Sequence, residues 1–225
     1  MFINMDLTHD LLTMEKFFSR NFYNGDSLDA VRQQKTDGYF LLTAPHATNR
    51  WQDGRRKFAD QYTGSVVQLL GTTAGQSWLA TDGVASDWTY WDERSDPFKL
   101  ALDGILDEGK YLVNIVGASA RHGVDIHVGI GNDPRSEELE MAEMIEDTFG
   151  DFHVVTNGQF NAASPKSVRT YARSTGSGGI QLELAPSMRD PLEHPDTAAE
   201  FVLRFAELLA TRSARCTALE AALIA

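Results

Sequence analysis

The chain has 225 residues, enough to bury a full core within one α/β domain. Its 20 Lys and Arg against 32 Asp and Glu leave a formal charge of -12, which repels nucleic-acid backbones and anionic membrane surfaces, and the basic run GRRK (54–57) is too short to reverse that sign. The single cysteine, Cys216, excludes an intrachain disulfide and a Cys-based zinc cluster, while the acidic start MFINMDLTHD and the lack of a bilayer-length apolar run give the expectation of a cytoplasmic protein.

Residues 1–35 show no clear periodicity and read as an N-terminal extension. GYFLLTA (38–44) is a first central strand that stops abruptly at Pro45 and His46. RKFADQYTGSVVQLL (56–70) sets Phe58, Tyr62, Val66 and Leu69 at helical spacing, with GTTAG to end it. SWLAT (77–81) reads as a short strand. In SDPFKLALDGILDEG (95–109) a Ser or Asp cap, Pro97 in the first turn and a closing glycine mark a helix. KYLVNIVGAS (110–119) is the strongest strand pattern in the chain. GVDIHVGIG (123–131) follows, with Val124, Ile126 and Val128 on one face and Asp125 and His127 on the other. SEELEMAEMIEDTFG (136–150) has the acidic first turn of a helix, FHVVTN (152–157) reads as a strand, PKSVRTYARSTG (165–176) as a helix and GIQLELAP (179–186) as the last central strand. From Asp196 to the end the chain is largely helical, with Phe201, Phe205, Leu208, Leu209, Leu219 and Leu223 as apolar positions. Short apolar runs alternating with amphipathic segments are the pattern of a mainly parallel sheet flanked by helices, expected as one domain over 1–225.

His46 follows the first strand, Asp60 lies in the predicted helix after it, Arg121, Asp125 and His127 flank the next strand pair, and Glu183 is in the last strand. Imidazole plus carboxylate is the ligand set zinc prefers when one position is kept for water, and a further carboxylate then serves as general base. On the residues by themselves the alternative stands beside it: Asp60 as a solvated helix residue and His46 as a loop histidine bonded to a backbone carbonyl.

TAPHATNR, KFADQYTG, DWTYWDERSDPFKLAL, VNIVGASARHGVDIHVGIG and IQLELAPSMR, in this order over about residues 38–190, resemble the N-formylglutamate amidohydrolase family. The resemblance implies a three-layer α/β/α fold with a mixed, mostly parallel sheet, of the phosphorylase/hydrolase-like, zinc-carboxypeptidase-like kind. It implies one zinc ion and hydrolysis of an amide bond in a small N-acyl amino acid or modified peptide. Carried over to this sequence, His46 and Asp60 are metal ligands and Glu183 is the general base and acid. Arg189 or Arg121 supplies the donor for an oxyanion or a substrate carboxylate. Asn49, Asp125, Trp88, Tyr90 and Trp91 are expected in the substrate pocket, the aromatic ones reading an apolar or aromatic group, or packing their loop onto the body.

The pattern breaks at one ligand. Where the family has a histidine before Gly-Ala, this chain has Val116, which cannot bind a metal. His127 is the expected replacement ligand, with His122 as a second candidate. The other reading is a vestigial metal site in a protein that acts by binding or regulation.

Overall fold

In the computed structural model, which describes residues 2–224 with side chains for 6–216 and 218, the chain begins with α1 (Phe2–Phe18), a single turn α2 (Arg20–Tyr23) and β1 (Val31–Gln34). Then come β2 (Phe40–Ala44), β3 (Arg50–Gln52), β4 (Arg55–Lys57), α3 (Thr63–Ala74), β5 (Ser77–Thr81) and α4 (Pro97–Leu106). The second half holds β6 (Tyr111–Gly117), a 3-10 turn (Ala120–His122), β7 (Ile126–Gly129), α5 (Ser136–Thr148), β8 (Val154–Thr156), α6 (Val168–Ser174), β9 (Gly179–Leu184), α7 (Pro186–Arg189) and α8 (Pro195–Ile224). Leu219 and Leu223 lie outside the residues whose side chains are described. No helix among the described residues is long and apolar enough to cross a membrane.

Seven strands form one sheet in the order β1-β5-β2-β6-β9-β7-β8. The pairs β5/β2, β2/β6, β6/β9 and β7/β8 are parallel, whereas β1/β5 and β9/β7 are antiparallel. The result is the mixed, mostly parallel α/β sheet expected from the sequence. Because side chains alternate across a strand, β2 sends Phe40, Leu42 and Ala44 to one face and Leu41 and Thr43 to the other. The first set joins Val113, Ile115, Ile180 and Leu182 in a core closed by Leu11 and Phe18 of α1, Val66 and Leu70 of α3, Ile145 of α5 and Phe201 and Phe205 of α8. On the second face Leu41, Leu79 and Leu112 pack with Trp88, Trp91, Phe98, Leu102, Val168 and Ala172.

Two expectations are corrected. Residues 1–35 are no extension: Leu11 and Phe18 are fully buried, and β1 is an edge strand of the main sheet. The predicted helix over 56–70 starts only at Thr63. Asp53 and Gly54 both adopt positive φ, the Asp-Gly conformation that closes a tight hairpin, so Arg55–Lys57 turns back on Arg50–Gln52 instead of coiling. Tyr62, at φ 66, separates the hairpin from α3 and leaves Phe58 exposed. The helix over 95–109 forms as the sequence directs: Asp96 accepts from the Lys99 N–H at 2.8 Å, and Pro97 occupies the first helical position.

Candidate active site

The C-terminal ends of β2, β6 and β9 open into a cavity of about 410 Å³, lined among others by His46, Arg50, Asp60, Trp88, Asn114, Val116, Lys166, Gln181 and Glu183. This is where parallel α/β sheets place ligands. His46 arrives two residues after β2. Asp60 sits in the loop before α3, tied down by its own N–H donating to the His46 carbonyl at 2.8 Å. The Asp60 carboxylate is shared: Oδ2 accepts from the Gly117 N–H at 2.9 Å and lies 3.4 Å from His46 Nδ1, while Oδ1 is 3.9 Å from Arg50 Nη1. Gly117 is required by this packing, since a Cβ there would stand 2.9 Å from Asp60 Cβ and 3.0 Å from Arg189 Nη2.

Burial works to raise the Asp60 carboxyl, but His46, Arg50 and the Gly117 N–H outweigh it and hold the group below the usual carboxylate range. Burial and the neighbouring Arg50 charge depress the His46 imidazole against the pull of Asp60, so the ring is neutral at pH 7. Asp60 remains ionised opposite a neutral ring because Arg50 and Gly117 also stabilise its charge. This arrangement assigns the Nδ1 proton to the Asp60 side and leaves a bare lone pair on Nε2, which is buried without a hydrogen-bond partner. Trp88 packs edge to face on the ring at 5.0 Å and fixes its plane.

Glu183 is opposite in character. Burial pushes its carboxyl up to about 7, with the nearby Asp60 charge adding to the rise and a hydrogen bond from Gln181 opposing it. Register places it: Glu183 is paired with Val116 on β6 and with His127 on β7, so all three share one sheet face. Glu183 therefore exchanges a proton near neutrality, in the same cavity as a neutral imidazole.

Of the site residues expected from the sequence, His46, Asp60, Glu183 and Trp88 line this one cavity and the others do not. His127 is outside the cavity wall. Its ring packs against Phe160 at 4.9 Å and faces His122 at 6.3 Å, and burial holds it below its ordinary pKa. Arg189 is spent on the backbone, donating to the carbonyls of Leu184 (3.1 Å), Gln61 (2.5 Å) and Ala118 (3.3 Å). Arg121 is exposed in the 3-10 turn. Asn49 braces loops by donating to Phe22 O and accepting from the Ala59 N–H. Asp125 accepts from the His153 N–H and Ser187 Oγ. Trp91 is fully buried beneath Trp88, and Tyr90 is exposed beside Trp51 and Thr89.

The arginine at the cavity is instead Arg50, whose Nη1 donates to Phe58 O at 3.3 Å and whose buried Nε has no partner. Its nearness in sequence to His46 was the available signal. Asn114 and Gln181 were missed as well, although a polar residue inside the apolar run KYLVNIVGAS and the Gln-x-Glu alternation in GIQLELAP both mark a polar row on one sheet face.

A three-ligand zinc centre does not fit this donor set. His46 and Asp60 face one another, Val116 lines the wall without a donor atom, and His127 is directed to Phe160. Among the described residues no group of three His, Cys, Asp or Glu side chains is arranged to hold a metal ion.

No protein-family model and no curated protein matches the chain. Solved structures do share its fold. An N-formylglutamate amidohydrolase from Ralstonia eutropha superposes with a TM-score of 0.60 at 10% identity, over 82% of this chain and 98% of that one. A bacteriophage poly-gamma-glutamate hydrolase gives 0.55 at 16% identity, over 84% and 90%. A zinc-free form of YNDL gives 0.54 at 17% identity, over 82% and 90%. At such identities the likeness establishes a common fold, that of the N-formylglutamate amidohydrolase.

Proposed function

We propose that the chain hydrolyses an amide bond in a small N-acyl amino acid or modified peptide, with Glu183 as the group that moves the proton. The observation carrying this reading is one cavity that holds a carboxyl poised near pH 7 together with a neutral, Asp-backed imidazole and an underused guanidinium. The likeness in fold to proteins named as an amidohydrolase and a poly-gamma-glutamate hydrolase supports the choice of bond.

Ionised Glu183 takes a proton from water as the oxygen attacks the carbonyl carbon, and returns it to the amine nitrogen as the C–N bond breaks, giving a carboxylic acid and an amine. His46 Nε2 accepts a hydrogen bond from the water or from the substrate N–H. Arg50 faces the negative charge that develops on the carbonyl oxygen, or binds a substrate carboxylate, with Lys166 at the exposed rim adding a second positive charge. No step is routed through zinc, because only His46 and Asp60 of the implied ligands line the cavity.

Val116 favours a second reading, a relative that keeps the pocket and binds without turnover. Incubation with formyl-, acetyl- and γ-glutamyl-amino acids, monitored for released amine with and without added zinc or chelator, separates the two. Turnover lost in Glu183→Gln supports the hydrolase. Calorimetric binding with no amine released under any condition supports the binder and overturns the first reading.

A further inference from the structure

The polar row along the cavity wall is a single file of hydrogen bonds that ends on Glu183. Thr43 Oγ1 on β2 donates to Asn114 Oδ1 on β6 at 2.8 Å, Asn114 Nδ2 donates to Gln181 Oε1 on β9 at 3.0 Å, and Gln181 Nε2 donates to Glu183 Oε1 at 2.9 Å. Ser167 Oγ, just before α6, donates to the same Gln181 oxygen at 3.0 Å. Thr43 and Asn114 are buried, so these bonds are not exchanged with bulk water.

The direction of the file follows from its end. An ionised carboxylate only accepts, so Gln181 must present its NH2 to Glu183 and its carbonyl to Asn114 and Ser167, and Asn114 in turn must present its own carbonyl to Thr43. Turning the Gln181 amide over would set its carbonyl against the carboxylate and require Asn114 to turn with it. Glu183 Oε1 is thereby engaged, and Oε2 has no hydrogen-bond partner among the described side chains.

We propose that Gln181 is a positioning residue for Glu183: by donating to Oε1 it fixes the carboxylate plane and makes Oε2 the oxygen that takes up and releases the proton. This rests on the reading of Glu183 as the proton-moving group. It adds a claim about a residue that acts through another, and about one oxygen of the pair.

The test follows the Glu183 carboxyl directly, by NMR titration of full-length protein carrying carboxyl-labelled glutamate, with the resonance assigned from Glu183→Gln. In Gln181→Leu the ionised form loses a donor, and the midpoint rises by roughly one pH unit. A purely structural role lowers the thermal midpoint and leaves the titration where it was. If Gln181→Leu does not fold, Gln181→Met removes the same donor with a side chain of similar length and no added charge, and the Glu183 midpoint again rises. An unmoved midpoint in either folded variant overturns the proposal. Absence of turnover in wild-type protein whose midpoint still responds to Gln181 overturns the hydrolase reading and leaves the positioning role standing.

Discussion

Asp60 Oδ2 accepts a backbone hydrogen bond from Gly117 and lies 3.4 Å from His46 Nδ1, so one oxygen joins the end of β6 to the imidazole that follows β2. The carboxylate therefore sets both the tautomer and the tilt of the ring, as an orienting acid does in a hydrolytic dyad.

Replacing that carboxylate tests the coupling. Asp60→Asn removes the charge that pulls the His46 pKa upward, so the ring titrates still lower than in wild type. Hydrolysis is expected to fall by about 10²- to 10⁴-fold. Histidine NMR and turnover on the same sample check both outcomes, and an unchanged ring titration would separate His46 from Asp60.

Glu183 makes stability depend on pH in an unusual direction. With its carboxyl raised from 4.5 to about 7, the folded state keeps a proton that the unfolded state has released between those values. The unfolded chain binds fewer protons there, so stability falls as pH rises through this window, is undiminished below 4.5, and carries the full deficit above 7. The shift corresponds to about 3 kcal/mol. Urea unfolding at pH 4 and pH 8 should show Glu183→Gln more stable than wild type at the higher pH, with the difference nearly gone at the lower.

The wall position that lacks a donor can be given one. Val116→His adds an imidazole beside Glu183 in the cavity that already holds His46 and Asp60. Elemental analysis after gel filtration in zinc-containing buffer is expected to find zinc retained by the variant and lost from wild type. Equal retention by both would show that the native side chains suffice.

Away from the cavity, Glu138 is fully buried 3.0 Å from Arg169 and also accepts from the Gly179 N–H at 3.3 Å and the Arg135 N–H at 2.5 Å. The Arg169 Nη2 contact is an ion pair without hydrogen-bond geometry; the same guanidinium bonds through Nε to Gly179 O at 3.0 Å. Glu138→Ala leaves a buried cation unpaired and should cost about 3–5 kcal/mol. The double replacement with Arg169→Met is expected to cost less than the single one, which a chemical-denaturation cycle would show.

The central strands were legible because β2, β5 and β6 are buried on both faces and largely apolar, and such runs stand out whatever surrounds them. The short polar strands β1, β3 and β4 were not, since four or three half-exposed residues carry no period of their own and exist as strands only through their partners. The Asp53-Gly54 turn was nonetheless readable, and it would have stopped the helix drawn from 56 to 70. At the site, His46 and Glu183 were marked by their places at strand ends. Arg50 and Gln181 depend on which strand lies next to which, a relation set by the 1-5-2-6-9-7-8 order and absent from local spacing. Arg121 and His127 show the opposite limit: the antiparallel register sets His127 directly beside Glu183, yet its ring packs against Phe160 and His122, and Arg121 stands exposed in the 3-10 turn, neither of which local spacing reveals.

Glu15 of α1 is buried, accepts from the Tyr62 N–H at 2.9 Å and from Tyr23 Oη at 2.8 Å, and so grips the backbone two residues beyond Asp60. The opening helix is therefore a buttress for the loop that carries this acid. A protein clipped after Tyr23 would keep every side chain lining the cavity, yet would lose the anchor that holds one of them in place.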